Sequence, residues 1–169
     1  MNLLAIDPGN TESAYALIDA TTRRPIAIDK VANEQLLDHL DDVDGVTHVA
    51  IEMIASYGMA VGREVFETCV WIGRYQQQIL RAPLAPAVEL VYRRDVKVHH
   101  CASTKAKDSN ITQALIDRFG AGASNRGKGT KATPGWFYGF RADIWQAYAL
   151  AVLLADRLDT SATNQAAGF

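Results

Sequence analysis

The chain has little cysteine and no long apolar run. Only two of its 169 residues are cysteine, Cys69 and Cys101. Their separation matches no metal-binding spacing, so each reads as a reduced, buried small residue rather than a ligand or bridge partner. No apolar stretch approaches the roughly 18 residues of a membrane span. No basic segment followed by an apolar core and a cleavage site opens the sequence, so no signal peptide is expected. Internal repeats are absent. These absences point to a cytoplasmic protein with no membrane partner. With 49% hydrophobic and 21% charged residues, the composition is that of a globular protein. The length suits one domain, expected over residues 1–158, followed by a flexible C-terminal tail, 159–169.

Net charge is −2, which by itself argues against a polyanionic partner. The distribution argues the other way. Residues 92–131 carry nine Lys and Arg against three Asp, a local charge of +6 that leaves −8 on the remainder. An acidic body with one basic segment can attract a polyanion through its local field. A solvated basic surface would look the same in sequence.

Apolar runs at 3–7 (LLAID), 13–19, 25–32, 47–53 and 88–92 read as strands, the first two joined as a hairpin. Helical spacing marks 33–40, 59–80, 108–120 and 142–158. In the second of these, Phe66, Cys69, Val70, Gly73 and Gln77 step along one face. Asp108 reads as the N-cap of its helix and Gly120 as its stop. The segment 123–135 is a loop rich in glycine and lysine, expected to be mobile and able to wrap a backbone. The order of elements predicts an α/β sheet whose first three strands are antiparallel and whose later strands enter by crossover.

Asp7 and Glu52 each end a predicted strand. On parallel neighbours both would emerge at the carboxyl edge of the sheet, where ligands bind in open α/β folds. Paired carboxylates repel unless a cation intervenes, and Mg²⁺ suits oxygen donors. Asp143, opening the last helix, supplies a third acid. Three such acids could hold two ions about 3.5–4 Å apart for phosphoryl transfer. The alternatives are local: Asp7 as a cap of the Asp-Pro-Gly turn, and Asp143 as a plain N-cap. A buried, unpaired Glu52 is harder to explain locally.

Four stretches in order, LLAIDPGNTESAYALID, VAIEMIASYGMAVGREVFETCVWIGRYQQ, YRRDVKVHHCASTKAKDSNITQALIDRFG and ADIWQAYALAVLLA, resemble the RuvC-like Holliday junction resolvases, especially the phage-type members. The resemblance implies a ribonuclease H-like fold, a mixed five-stranded sheet flanked by helices. It also implies a homodimer built on the 59–80 helix and Mg²⁺ dependence with Mn²⁺ able to substitute. The implied activity is endonucleolytic cleavage of branched DNA that leaves a 5′-phosphate and a 3′-hydroxyl. The implied location is the cytoplasm, of a bacterial host if the gene is phage-borne. No small-molecule cofactor is implied. Asp7, Glu52 and Asp143 fall on the family's acidic, metal-binding positions. A further acid of the family, three residues beyond Asp143, is here Gln146, an amide that can orient water but brings no charge. Asp108 or Asp95 could compensate.

The expected DNA contacts are Arg93, Arg94, Lys97, Lys105 and Lys107, then Arg126, Lys128 and Lys131 in the loop, and Arg141 beside Asp143. Phosphate neutralisation supplies most affinity for DNA. Tyr57, soon after Glu52, could stack on an unpaired base. Trp71 and Trp145 read as core. The adjacent His99 and His100 lack a third ligand at zinc spacing and read as structural or phosphate-facing.

Three other functions use similar residues. An actin-like ATPase or pantothenate kinase shares the Asp-x-Gly-Asn-Thr turn but needs two domains and a second phosphate loop. A non-catalytic branched-DNA-binding protein would share the fold with a site weakened at Gln146. A ribonuclease H would use the same acids on RNA–DNA hybrids.

Overall fold

The computed structural model describes residues 1–41, 45–56, 58 and 60–166. The elements are β1 (Asn2–Asp7), β2 (Glu12–Asp19), β3 (Pro25–Ala32), α1 (Asn33–His39), β4 (Val46–Met53), α2 (Arg63–Leu80), β5 (Ala87–Tyr92), α3 (Arg93–Cys101), α4 (Asp108–Phe119) and α5 (Ile144–Ala166). The strands form one mixed sheet in the order β3-β2-β1-β4-β5. The first three strands are antiparallel, and β4 and β5 add in parallel, as the element order predicts. Among the described residues no helix is long and apolar enough to cross a membrane.

Period-two alternation divides β1 between two cores. Leu3 and Ala5 face α5, together with Ala14, Ala16 and Ala50. Leu4 and Ile6 face α2, together with Val49, Ile51, Trp71, Ile72, Tyr75 and Ile79. The alanines on the first face meet Ala147 and Ala151 of α5. Small residues on both surfaces bring that helix close over β1 and β2 and fix where its N-terminus lies.

The β1–β2 turn explains its Pro-Gly sequence. A Cβ on Gly9 would lie 2.3 Å from the Glu12 carbonyl oxygen, so only glycine closes the turn without displacing backbone. Ser13 anchors the turn from below. Its buried hydroxyl donates to Asn33 Oδ1 at 2.7 Å, accepts from the Gly9 N–H, and lies 3.0 Å from the Tyr75 hydroxyl. Asn33 Nδ2 in turn donates to the Gly9 carbonyl. This network ties the turn after Asp7 to α1 and α2.

Several elements differ from expectation. Residues 93–101, read only as a basic stretch after a strand, form α3. Helix α2 begins at Arg63, not at 59. Its core face is Thr68, Trp71, Ile72, Tyr75 and Ile79, while Phe66 and Val70 on the expected stripe are 62% and 57% exposed. Helix α5 does not stop at residue 158 but runs to Ala166. There the hydroxyls of Thr160, Ser161 and Thr163 donate to carbonyls four residues back, so polar residues that suggest fraying are absorbed by the helix. Both cysteines are free, but half-buried rather than buried.

The 123–135 loop is not a loose wrap. A single 3-10 turn at Asn125–Gly127 leads into a small hairpin closed by a Gly129–Pro134 bridge. Hydrogen bonds from Gly135 N to Lys128 O and from Phe137 N to Gly127 O give it a defined shape. Its base rests on aromatic packing: Trp136 stacks on Phe119 with ring centroids 5.2 Å apart, and Phe137 meets Phe140, Trp145 and Tyr148.

Midway along α5, Asp156 gathers Arg23, His99 and Arg118. Burial works to raise its pKa, but the hydrogen bonds from these three side chains hold it far below the usual carboxylate range. His100 Nε2 donates to the Ala149 carbonyl at 2.9 Å, and burial pushes the pKa of the ring down to about 4. Both histidines are therefore structural.

Candidate active site

The register of the sheet assembles the site. Ala5 pairs with Ala50 and both face α5. Two residues on, Asp7 of β1 and Glu52 of β4 therefore emerge side by side on the α5 face at the carboxyl edge. Across the other side of β1, Asp7 pairs with Ala14, and Ala14 pairs with Lys30 of β3. The small Ala14 leaves Lys30 free to lean over the edge.

Asp143 enters from the N-terminus of α5. Its carbonyl accepts the first helical hydrogen bonds, from Gln146 and Ala147. Ala142, just before it, has φ 39°, a left-handed conformation costing a non-glycine residue roughly 1–2 kcal/mol. The Asp143 carboxylate accepts from Lys30 Nζ at 2.6 Å.

Asp108 is not the N-cap that its sequence context suggests. The N-cap of α4 is Lys107, whose N–H donates to the Asn110 side chain. Asp108 occupies the first helical turn, and its carboxylate accepts from Arg93 Nη2 at 2.5 Å. Arg93 Nη1 donates to Glu52 at 3.1 Å. One guanidinium thus spans the two acids.

The electrostatics show how close these groups are. Burial raises the pKa of Asp7 well above the usual range, and the carboxylates of Glu52, Asp143 and Asp108 add to the rise against the opposing charge of Arg93. Glu52 is also raised, by burial first, with Arg93 and Lys97 opposing. Among the described residues no hydrogen bond of the turn ends on the Asp7 carboxylate; the Gly9 N–H goes to Ser13 Oγ instead, so Asp7 does not cap its turn. A half-buried carboxylate crowded by three others is costly without a cation. The all-oxygen donor set fits a hard divalent ion, although among the described residues no three acids, histidines or cysteines already stand at metal-binding distances. Lys30 and Arg93 take up the carboxylates instead.

Gln146 follows Asp143 by one helical turn. It is buried, and its Oε1 has no hydrogen-bond partner among the described residues. Arg94, Lys97, Arg93 and Thr104 line a cleft of about 360 Å³ beside Glu52. Lys105 and Lys107 are exposed next to Asp108. The hairpin bearing Lys128 and Lys131 packs at the opposite end of α4, about 18 Å away for a helix of this length. Arg141 is tied to Asp29 at 3.1 Å rather than turned to the acids. Asp95 pairs with Arg157, away from the cluster. Tyr57 lies outside the described residues. Trp71 and Trp145 are core, as expected.

The sequence matches no protein-family model and no curated protein. Its fold does match solved structures. Thermus thermophilus RuvC superposes with a TM-score of 0.72 at 13% identity, covering 95% of this chain and 97% of that one. T. thermophilus RuvC in complex with a Holliday junction substrate gives 0.70 at 15% identity, covering 95% and 96%. The mixed five-stranded sheet and its flanking helices therefore form a RuvC-like, ribonuclease H-like fold.

Proposed function

We propose that this protein is a divalent-metal-dependent endodeoxyribonuclease that cleaves Holliday junctions and related branched DNA. The observation that carries the reading is the meeting of Asp7, Glu52 and Asp143 at one sheet edge, flanked by a basic cleft, in a RuvC-like fold.

Asp7, Glu52 and Asp143 would together hold the divalent cations, Mg²⁺ or Mn²⁺, which share a preference for oxygen donors. Bound there, the ions would supply an activated water and neutralise charge on the leaving oxygen. The remaining work falls to the chain itself. Arg94 and Lys97 hold the scissile phosphate in their cleft, and Lys105 and Lys107 grip the adjoining backbone. Gln146 Oε1, buried and unpaired among the described residues, orients a water by accepting its hydrogen bond. Lys128 and Lys131, a helix length away, contact a more distant part of the DNA. Arg141 joins them by exchanging Asp29 for phosphate, and Tyr57 stacks on a base at the branch.

The exposed stripe of α2 supports a homodimer. Phe66 and Val70, with Gly73 exposed between them and Leu80, form an apolar face on a helix whose other side is fully packed. A two-fold contact there would present two acidic edges to one junction. The expected location is the cytoplasm, in a bacterial host if the gene is phage-borne.

A second reading, a branched-DNA-binding protein without cleavage, draws on Gln146 and on the occupation of the acids by Lys30 and Arg93. Incubating labelled four-way, flap and RNA–DNA substrates with and without Mg²⁺ separates the readings. Mg²⁺-dependent cutting of the four-way DNA supports the nuclease. Binding without cutting supports the second reading, and cutting of the hybrid alone indicates a ribonuclease H.

A further inference from the structure

Arg93 stands where β5 passes directly into α3. Its charge lies in the first turn of α3, where the helix dipole disfavours a cation. What holds it is the pair of acids it spans, Glu52 from β4 and Asp108 from α4. These partners differ in quality: the Glu52 side chain is 15% exposed, the Asp108 side chain 64%. The bond to Asp108 alone is a surface contact of small worth. The guanidinium therefore depends on Glu52, the carboxylate that a divalent ion would also need. On its other side opens the cleft shared with Arg94, Lys97 and Thr104. A planar guanidinium fork suits two carboxylates or one phosphate equally well.

We propose that Arg93 is a displaceable counter-ion that couples divalent-cation binding to DNA binding. Without a cation its guanidinium bridges Glu52 and Asp108 and keeps the acidic edge assembled. When a cation takes Glu52, the guanidinium turns into the Arg94–Lys97–Thr104 cleft and adds a contact to a DNA phosphate. The inference rests on the nuclease reading and deepens it, because it gives this chain a built-in order of assembly. Linkage then requires that cation and DNA strengthen each other's binding by the same factor.

The test measures Mn²⁺ binding to the DNA-free protein by electron paramagnetic resonance, and four-way-junction binding in Ca²⁺ or in EDTA at fixed ionic strength. Arg93→Met should bind Mn²⁺ about tenfold more tightly, the size expected when one charge-assisted contact need not be displaced. Ca²⁺ should strengthen junction binding by the wild type and do so far less for Arg93→Met. Arg93→Lys keeps the charge but cannot span both acids. It should give a smaller tightening, and it carries the test if Arg93→Met does not fold. Equal or weaker Mn²⁺ binding by the folded variants, or an undiminished Ca²⁺ effect, overturns this inference alone. Absence of Mn²⁺ binding by wild type and variants overturns both it and the nuclease reading.

Discussion

Replacing Asp7 by asparagine should stabilise the protein and, on the proposed nuclease reading, abolish cleavage. Asp7 sits half-buried at the end of β1, with Glu52 beside it and the charges of Asp143 and Asp108 near. Its folded pKa lies above the unfolded value, so folding favours the protonated form. Above the unfolded pKa of about 3.9 the folded protein must then either keep a proton or hold a crowded charge, and stability falls as pH rises through the folded pKa. Asparagine at this position has the same shape and no charge. Relieving a polar group that is buried without compensation is worth about 1–3 kcal/mol, and the half-buried Asp7 falls toward the lower end. For a chain of this size each kcal/mol moves Tm by roughly 2–4 °C. Thermal unfolding of Asp7→Asn in EDTA at pH 7.5 should therefore give a Tm several degrees above wild type. The gain should shrink on acidification and vanish below about pH 4, where Asp7 is protonated in both states. Added Mg²⁺ should stabilise the wild type more than the variant. A lower Tm for Asp7→Asn in EDTA, with the fold intact, would mean that this carboxylate is not held at a cost to the fold.

Three further outcomes are expected. His100 has a folded pKa of about 4 against an unfolded value near 6.5, so the unfolded state takes up a proton first. Stability should fall as pH drops from about 6.5 to 4, by up to about 1.4 kcal/mol per pH unit, and His100→Gln should flatten that slope in urea titrations. Phe66→Glu combined with Val70→Glu should leave the monomer's stability within about 0.5 kcal/mol, since both side chains are exposed. If the proposed dimer is built on α2, the same pair should give a monomer by light scattering; a mass that stays dimeric would remove α2 as the interface. Lys97→Ala and Lys107→Ala should each weaken junction binding and lower the slope of log affinity against log salt by about 1, whereas loss of affinity with no change in slope would deny them phosphate contacts.

The acidic edge was legible because apolar runs that stop on a carboxylate are unusual, and LLAID and VAIEM both carry one at or near their end. The antiparallel start of the sheet and the crossover entry of its later strands followed from the order of elements. The partners of the acids were not legible. Lys30 lies half-buried on an outer strand, and nothing local marks it as a neighbour of Asp143 across a gap of more than a hundred residues. Asp108 looked like a helix cap because lysine is a poor one, yet the cap is Lys107, which leaves the aspartate for Arg93. Helix α3 was missed because only Val96 of its nine residues is buried, so it has no apolar stripe to read. Helix α2 carries apolar residues on two faces, and the sequence does not say which one meets the sheet. The aromatic cluster of Phe137, Phe140, Trp145 and Tyr148, which shapes the glycine-rich hairpin, depends on contacts between a loop and α5 that no short-range pattern encodes.

The decisive assay is cleavage of a labelled four-way DNA junction by the wild type, Asp7→Asn, Glu52→Gln and Asp143→Asn, each with and without Mg²⁺. If the three acids form one metal-dependent centre, the wild type alone cuts, only with Mg²⁺, and all three variants still bind the junction. Cutting that survives in any of the folded variants, or a wild type that binds the junction and leaves it whole in Mg²⁺, would contradict that claim.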